Sequence, residues 1–197
     1  MLSYAAGFGT GLSLIVAIGA QNAFVLKQGL MRHHVFWVCL FCAASDGLLI
    51  LLGVTGVARV LTAAPVLAEA MRWAGAAFLA WYGTRSFRAA WRGGGALRPD
   101  GNGETLGRTL ALIAALTWLN PHVWLDTVVL LGTVSAGWPS PLVFGLGAMT
   151  GSVLFFFALG YGARLLAPVF ARPRAWQVLE LGIGLVMWSI ALTLIVD

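Results

Sequence analysis

The chain has 197 residues, of which 60% are hydrophobic and only 10% are charged, with a formal net charge of +5. A soluble domain carries about 25% charged residues, so this composition excludes an ordinary soluble protein. The basic residues lie between or at the ends of long apolar stretches, which suits lipid headgroups better than nucleic acid. The sequence therefore indicates an integral membrane protein that is surrounded by membrane lipids and binds no nucleic acid.

Apolar stretches of about 20 residues, long enough to cross a bilayer as a helix, recur along the whole chain. They lack the alternating pattern of barrel strands, and a helix satisfies its own backbone hydrogen bonds in lipid. The fold class is therefore an all-α membrane protein, and residues 1–197 form a single transmembrane domain. Six spans are predicted, at residues 4–26, 35–57, 66–87, 109–133, 142–163 and 176–196.

The basic residues also predict how the chain is oriented in the membrane. Ten of them flank the loops after spans 1, 3 and 5, whereas only Arg59 and Arg72 lie on the opposite side. Because loops rich in Lys and Arg stay in the cytoplasm, both termini are predicted outside. The cytoplasmic loops are then residues 27–34, 88–108 and 164–175.

Span 1 carries polar residues at its deep end. Gly19 can interrupt the helix, and the amides of Gln21 and Asn22 follow it directly. Irregular backbone at this depth is tolerated only where protein or water covers it. We therefore interpret Gly19 as a helix break, and Gln21 and Asn22 as candidates for binding a polar substrate.

Two carboxylates lie inside the spans, Asp46 in span 2 and Asp126 in span 4. Ionising a carboxylate at such a depth costs at least about 2.5 to 3.5 kcal/mol without a partner or water. One interpretation is a protonated Asp or a structural pair with Arg or Lys. The interpretation we favour is that one or both face a cavity and meet a cation or a proton. Glu180, near the end of span 6, is interpreted as interfacial.

Cys39 and Cys42 in span 2 form a C-x-x-C pattern, which is typical of redox and zinc sites. Buried free Cys also behaves as a small hydrophobic residue, and the chain holds no second Cys pair to complete a metal site. We favour this second interpretation and predict neither a metal nor another cofactor.

The stretch "TWLNPHVWLD" interrupts span 4 with polar residues. Pro121 has no N–H to donate and crowds the carbonyl four residues earlier, so a break is predicted around Leu119–Asn120. Asn120 can satisfy freed backbone groups or line a cavity, and His122 is interpreted as a local hydrogen-bonding residue. An ordinary proline kink is the alternative.

Two interrupted helices suggest an internal repeat. Residues 1–90 and 105–197 would each supply three spans, joined by the cytoplasmic loop 91–104. Because three is odd, the two halves would have opposite orientations, with helices 1 and 4 interrupted. Secondary transporters often have this inverted-repeat plan and bind substrate at the paired breaks.

Motifs of nucleotide-driven pumps and common hydrolases are absent from the sequence, among them G-x-x-x-x-G-K-[ST], G-x-S-x-G and H-E-x-x-H. The chain is therefore predicted not to be an enzyme. Active transport by this chain would have to be coupled to an ion.

Four segments resemble the LysE superfamily of amino-acid exporters, and within it the lysine and arginine exporters. They are "IGAQNAFVLKQG" at 18–29, "CAASDGLLILLGVTG" at 42–56, "AFLAWYG" at 77–83 and "TWLNPHVWLDT" at 117–127. The resemblance implies a multi-pass exporter of basic L-amino acids in the bacterial inner membrane, working as a secondary active transporter driven by the proton-motive force. Many members have Gly-Pro-Gln-Asn where this chain has Gly19-Ala20-Gln21-Asn22, which leaves open whether span 1 is broken.

The residues and the resemblance agree on a binding chemistry. Asp46 and Asp126 would hold the cationic groups of a basic amino acid and exchange them for protons, assisted by the amides of Gln21, Asn22 and Asn120. Exporters of a neutral amino acid or of a metal cation remain alternatives on the same scaffold. A membrane thiol-redox protein that uses Cys39 and Cys42 is a further alternative, and a homodimer is left open.

Overall fold

The computed structural model describes residues 1–16, 19–56, 65–92, 105–170 and 172–196. Within these ranges the regular structure is entirely helical, as the sequence predicts. Arg59 and residues 93–104 of the predicted cytoplasmic loop lie outside the described residues.

The helices follow the predicted spans, with spans 1 and 4 each divided. They are α1 (Leu2–Ile15), α2 (Ala20–Met31), α3 (Val35–Val54), α4 (Pro65–Arg92), α5 (Leu106–Trp118), α6 (Pro121–Trp124), the π-helix π1 (Leu125–Leu130), α7 (Leu131–Ala136), α8 (Pro141–Gly162), the 3₁₀ turn Ala163–Leu166, α9 (Ala167–Phe170) and α10 (Pro173–Val196).

Several of these helices have the length and composition of membrane spans. Three stretches meet both requirements alone, namely Val35–Val54, Pro141–Phe170 and Pro173–Val196, and α1 with α2 makes a fourth if the bent pair is one span. Helix α4 has 28 residues but carries charges such as Glu69 and Arg72, whereas α5 is apolar but has only 13 residues. The chain is thus a membrane protein with several apolar helices, and the count of six spans stays a prediction.

Span 1 is interrupted although Ala20 stands where the resemblance leads us to expect a proline. Helix α1 ends at Ile15, α2 begins at Ala20, and the axes of the two helices differ by 81°. Gly19 precedes α2 with extended backbone, at φ −110° and ψ 175°. The side-chain amide of Asn22 donates a hydrogen bond of 2.6 Å to the carbonyl of Ile15. Asn22 therefore satisfies one of the carbonyls that the end of α1 leaves free.

Span 4 breaks where the proline predicts. Asn120 has extended backbone, at φ −95° and ψ 105°, and Pro121 is the first residue of α6. The side-chain oxygen of Asn120 accepts a hydrogen bond from the backbone N–H of His122 at 3.2 Å. The indole N–H of Trp124 donates to the carbonyl of Trp118 at 3.1 Å. The break is confirmed, and side chains satisfy backbone groups on both sides of it.

After α6 the chain does not return at once to α-helical geometry. Residues Leu125–Leu130 form a π-helix, in which the N–H of Leu131 donates to the carbonyl of Asp126, five residues earlier. Such wider turns are rare and occur frequently at functional sites. Asp126 thus lies on a distorted turn rather than on a regular helix.

Helices α1 and α8 are parallel and pack against each other through small residues. A Cβ on Gly147 would lie 2.8 Å from the backbone nitrogen of Phe8, and the Cβ of Ala148 would lie 2.8 Å from one on Gly11. The hydroxyl of Tyr4 also donates to that of Thr150, at 2.9 Å. The backbones approach so closely here that a Cβ on Gly147 would not fit.

Helix α8 runs antiparallel to α3, and α4 runs antiparallel to α10. The first pairing joins Cys39 to Phe156, where the thiol donates to the backbone carbonyl at 3.2 Å. In the second, the indole of Trp188 donates to the hydroxyl of Thr84 at 3.3 Å, and the amide of Gln177 donates to the carbonyl of Ala90 at 3.2 Å. The main apolar core lies among these helices, with fully buried residues such as Phe24, Leu79, Ile113, Phe156 and Met187.

The second part of each divided span packs on a helix from the other half of the chain. Helix α2 lies against α8, where Gly29 meets the backbone of Gly160. Likewise π1 and α7 lie against α3, where Gly53 meets Val128 and Gly132. In this crossed packing, a half-span from each half of the chain lies on a helix from the other half.

Substitution of Gly147 by alanine tests the close contact of α1 with α8. Since the new Cβ would meet the backbone of Tyr4 and Phe8, neither of which can rotate away, Gly147→Ala should destabilise the protein by about 1–3 kcal/mol. Gly182→Ala in α10 is the matched control, because no atom lies within 4 Å of its Cβ position. That change should stabilise the helix by about 0.5–1 kcal/mol. Melting temperatures in detergent should move in opposite directions, and an equal shift in both variants would contradict the close approach.

Candidate functional site

Asp46 is the centre of a buried polar cluster between α3 and α8. Its side chain is buried, with the residue 4% exposed, and its Oδ2 accepts a hydrogen bond of 2.9 Å from the hydroxyl of Ser152. The antiparallel packing of the two helices brings these residues together. In the part of the chain that the structure describes, no Arg or Lys forms an ion pair with Asp46. The interpretation of Asp46 as half of a structural ion pair therefore gains no support.

Gln21 joins this cluster from the first turn of α2. Its buried side chain lies beside Asp46 and Cys42. The side-chain nitrogen of Gln21 faces the Asp46 carboxylate but forms no hydrogen bond of good geometry. A buried polar group without a partner costs about 1–3 kcal/mol, so a ligand that accepts a hydrogen bond from it would be favoured here.

The start of α2 adds a positive electrostatic potential to the cluster. Gly19 caps the helix without a side-chain hydrogen bond. The first N–H groups of a helix have no partner within it, and the helix dipole places partial positive charge at this end. Because Gln21 lies in the first turn of α2 and beside Asp46, the start of α2 is close to this carboxylate. The cluster thus combines an anionic group with backbone N–H donors that attract anions. This combination suits a ligand that carries both charges.

The other predicted site residues make different contacts. The side chains of Asn22 and Asn120 bond backbone groups at the two helix breaks. Asp126 is exposed on π1, and the structure does not bring it to Asp46. Of the five residues that the sequence predicts for substrate binding, Asp46 and Gln21 come together.

Ser152 was missed by the sequence analysis. A signal was present, since Ser152 follows the small residues Gly147, Ala148 and Gly151 inside an otherwise apolar span. Small residues mark the side of a membrane helix that packs on its neighbours, so a hydroxyl on that side points into the bundle.

Glu180, which lies near a span end in the sequence, is buried within the protein. It is 2% exposed and forms an ion pair with Lys27 of α2, with 2.5 Å between Nζ and Oε1. The position of Glu180 near a span end suggested contact with water, but α2 folds back against α10 and covers it. The tertiary packing of a half-helix cannot be inferred from hydropathy.

Cys39 and Cys42 are free thiols with no exposed surface. An oxidant in solution cannot reach them, so the structure gives no support to redox chemistry. Among the described residues, no three His, Cys, Asp or Glu side chains come together as a metal site.

Comparisons with known proteins agree with this architecture. A family profile described as LysE type translocator matches residues 12–197. The chain is 42% identical over 192 residues to the "Putative amino-acid transporter YggA" of Aeromonas salmonicida, covering 95% of this chain and 93% of that protein. It is 41% identical over 192 residues to the "Arginine exporter protein ArgO" of Yersinia enterocolitica, again covering 95% and 93%. No solved structure matches. The match to the profile over nearly the whole length confirms the resemblance, and the chain belongs to the LysE type translocator family.

Proposed function

We propose that this protein exports amino acids from the cytoplasm, that its substrates are the basic L-amino acids arginine and lysine, and that protons move in exchange. The observation that carries the proposal is the buried carboxylate of Asp46, held by Ser152 and lying beside Gln21. The names of the relatives, one of which is an arginine exporter, support an amino-acid substrate.

The buried cluster matches the charges of an amino acid. A cationic group would be attracted to Asp46, because opposite charges interact strongly where water is excluded. The α-carboxylate would be attracted to the start of α2 and to the side-chain nitrogen of Gln21. Half-helices in secondary transporters bind substrate carboxylates with the same end.

Competition between substrate and protons for the carboxylate of Asp46 would couple substrate export to proton entry. A negative charge at Asp46 is costly in the membrane unless a cation is bound. A proton that arrives from outside would remove this cost and release the substrate. The empty, protonated carboxylate would then give its proton to the cytoplasm before it binds the next cation.

Asp126 enters this proposal as the second proton-exchanging carboxylate. It is exposed on π1, apart from the cluster of Asp46. Conversion of a π-turn to an α-turn shifts the following helix by one residue, which is about 100° of rotation. Such a change in π1 would reorient α7 against α3 as the transporter changes state.

We further propose six spans in a single transporter domain made of an inverted repeat, residues 1–90 and 105–197. The two divided helices and the crossed packing of α2 on α8 and of α7 on α3 support this plan. Helix α1 runs parallel to α8, while α3 is antiparallel to it, as expected for spans 1, 5 and 2 of an alternating chain. Alternating access would come from rocking of the bundle around Asp46.

Substitution of Asp46 by asparagine tests the site. Because the change removes the anion while keeping the shape, Asp46→Asn should abolish arginine efflux and leave the amount of protein in the membrane unchanged or higher. Glu69→Gln is the matched control, since Glu69 is an exposed carboxylate on α4. Counterflow in liposomes with radiolabelled arginine, lysine and homoserine measures the result. Wild-type rates in Asp46→Asn would remove the proposed role, and counterflow of homoserine alone would mean a neutral substrate.

The break in span 4 is tested by Pro121→Ala. The new N–H can donate to the carbonyl of Thr117, so α5 and α6 should join and the orientation of Asp126 should change. Stability should hold or rise while arginine efflux falls at least about tenfold, a barrier change of about 1.4 kcal/mol. Pro141→Ala is the control, because Pro141 also begins a helix but interrupts no span. Equal efflux in the two variants would show that the break is not needed for transport.

The proposed orientation is tested with reporters. A reporter fused after Gly94 should lie in the cytoplasm and one after Pro139 outside, because the basic residues flank the loops after spans 1, 3 and 5. Alkaline phosphatase and green fluorescent protein fusions report the two sides in bacterial cells. The reverse pattern would show that the chain has the opposite orientation.

A further inference from the structure

We infer that Glu180 is a second binding site for the substrate's cationic side chain, and that Lys27 is a tethered counter-ion which the substrate displaces. This inference rests on the proposed function, because it assumes that basic amino acids pass through the bundle. It assigns to the Lys27–Glu180 pair the role of a gate that opens for cationic cargo.

The burial of the pair is asymmetric. The side chain of Glu180 is 3% exposed and that of Lys27 is 19% exposed, with 2.5 Å between Nζ and Oε1. A buried carboxylate needs a positive partner, whereas a partly exposed ammonium group can turn to water through its flexible stem. The pair can therefore exchange its cation without ever leaving Glu180 uncompensated, provided that another cation arrives.

The second oxygen of Glu180 shows which cation would compete best. Oε2 is buried and has no hydrogen-bond partner, because Lys27 occupies only Oε1. A guanidinium group presents parallel N–H donors that bind both oxygens of a carboxylate at once. A substrate arginine can thus donate a hydrogen bond to Oε2 of Glu180, which Lys27 does not.

Helix α2 connects this pair to the cluster of Asp46. Gln21, beside Asp46, lies six residues before Lys27, which is about 9 Å along the helix. Gln28 lies two turns from Gln21 on the same face, and its buried side-chain oxygen also lacks a partner. Polar atoms without a well-formed hydrogen bond therefore occur at both ends of one face of α2, as expected of a path that a polar ligand completes.

The pair also determines what can open the path. It fastens the half-helix α2 to α10. A neutral amino acid cannot replace the ammonium group at Glu180, so it would have to leave a buried charge unpaired. Under the proposed orientation the pair lies at the cytoplasmic end, where it would select cations before they reach Asp46.

The experiment compares Lys27→Met, Glu180→Gln and the double variant Lys27→Met/Glu180→Gln in liposomes. Counterflow KM is measured for arginine and for citrulline, which has the same shape but a neutral side chain. Glu180→Gln should raise the KM for arginine by about tenfold or more and should reduce the preference for arginine over citrulline. Lys27→Met should lower the KM for arginine, because the internal competitor is gone. Glu69→Gln is the control and should match the wild type.

A pair that only fastens α2 to α10 makes different predictions. Both single changes would then impair transport alike, and the neutral double variant would regain wild-type KM and preference for arginine. That result would overturn the inference. The double variant also keeps the test valid if a single variant with an unpaired charge fails to fold. Failure of the wild type to counterflow arginine would overturn the proposed function and the inference together, whereas wild-type arginine counterflow with an unchanged KM in Glu180→Gln would overturn the inference alone.

Discussion

The structure depends on one constraint, that polar groups inside a membrane protein must find partners within the protein. Each helix break meets it locally, since Asn22 and Trp124 donate to carbonyls of the preceding helices. The carboxylates meet it over longer range, Asp46 through Ser152 and Glu180 through Lys27. Among the described residues, four buried side-chain atoms lack a well-formed hydrogen bond, on Gln21, Gln28, Thr109 and Glu180, and three of these belong to the path proposed above.

Three of the acidic side chains in the described helices illustrate how the environment differentiates similar groups. Asp46 is buried beside neutral donors, Glu180 is buried beside a cation, and Asp126 is exposed on a distorted turn. The exchange of charged cargo for protons that we propose would need carboxylates whose charge is tolerated to different degrees. The fold provides that range with helices that differ little in composition.

Much of the architecture could be predicted because lipid restricts it so strongly. Hydropathy predicts the helices, and the missing N–H of Pro121 predicts the break in span 4. The break at Gly19 was left open, since glycine permits but does not require an interruption. The contact of Ser152 with Asp46 and the pairing of Lys27 with Glu180 could not be predicted. Both depend on how helices from distant parts of the chain pack together. The burial of Glu180 follows from that packing and from nothing in its neighbouring sequence.

The glycine contact between α1 and α8 has a consequence for movement. Backbones that touch without intervening side chains slide poorly past one another, so α1 should travel with α8 as one rigid body. Helix α2 makes a second such contact with α8, where Gly29 meets the backbone of Gly160, so it should travel with the same unit although the chain is interrupted between α1 and α2. The moving units of the protein would then differ from its sequence halves, because α8 belongs to the second half whereas α1 and α2 belong to the first.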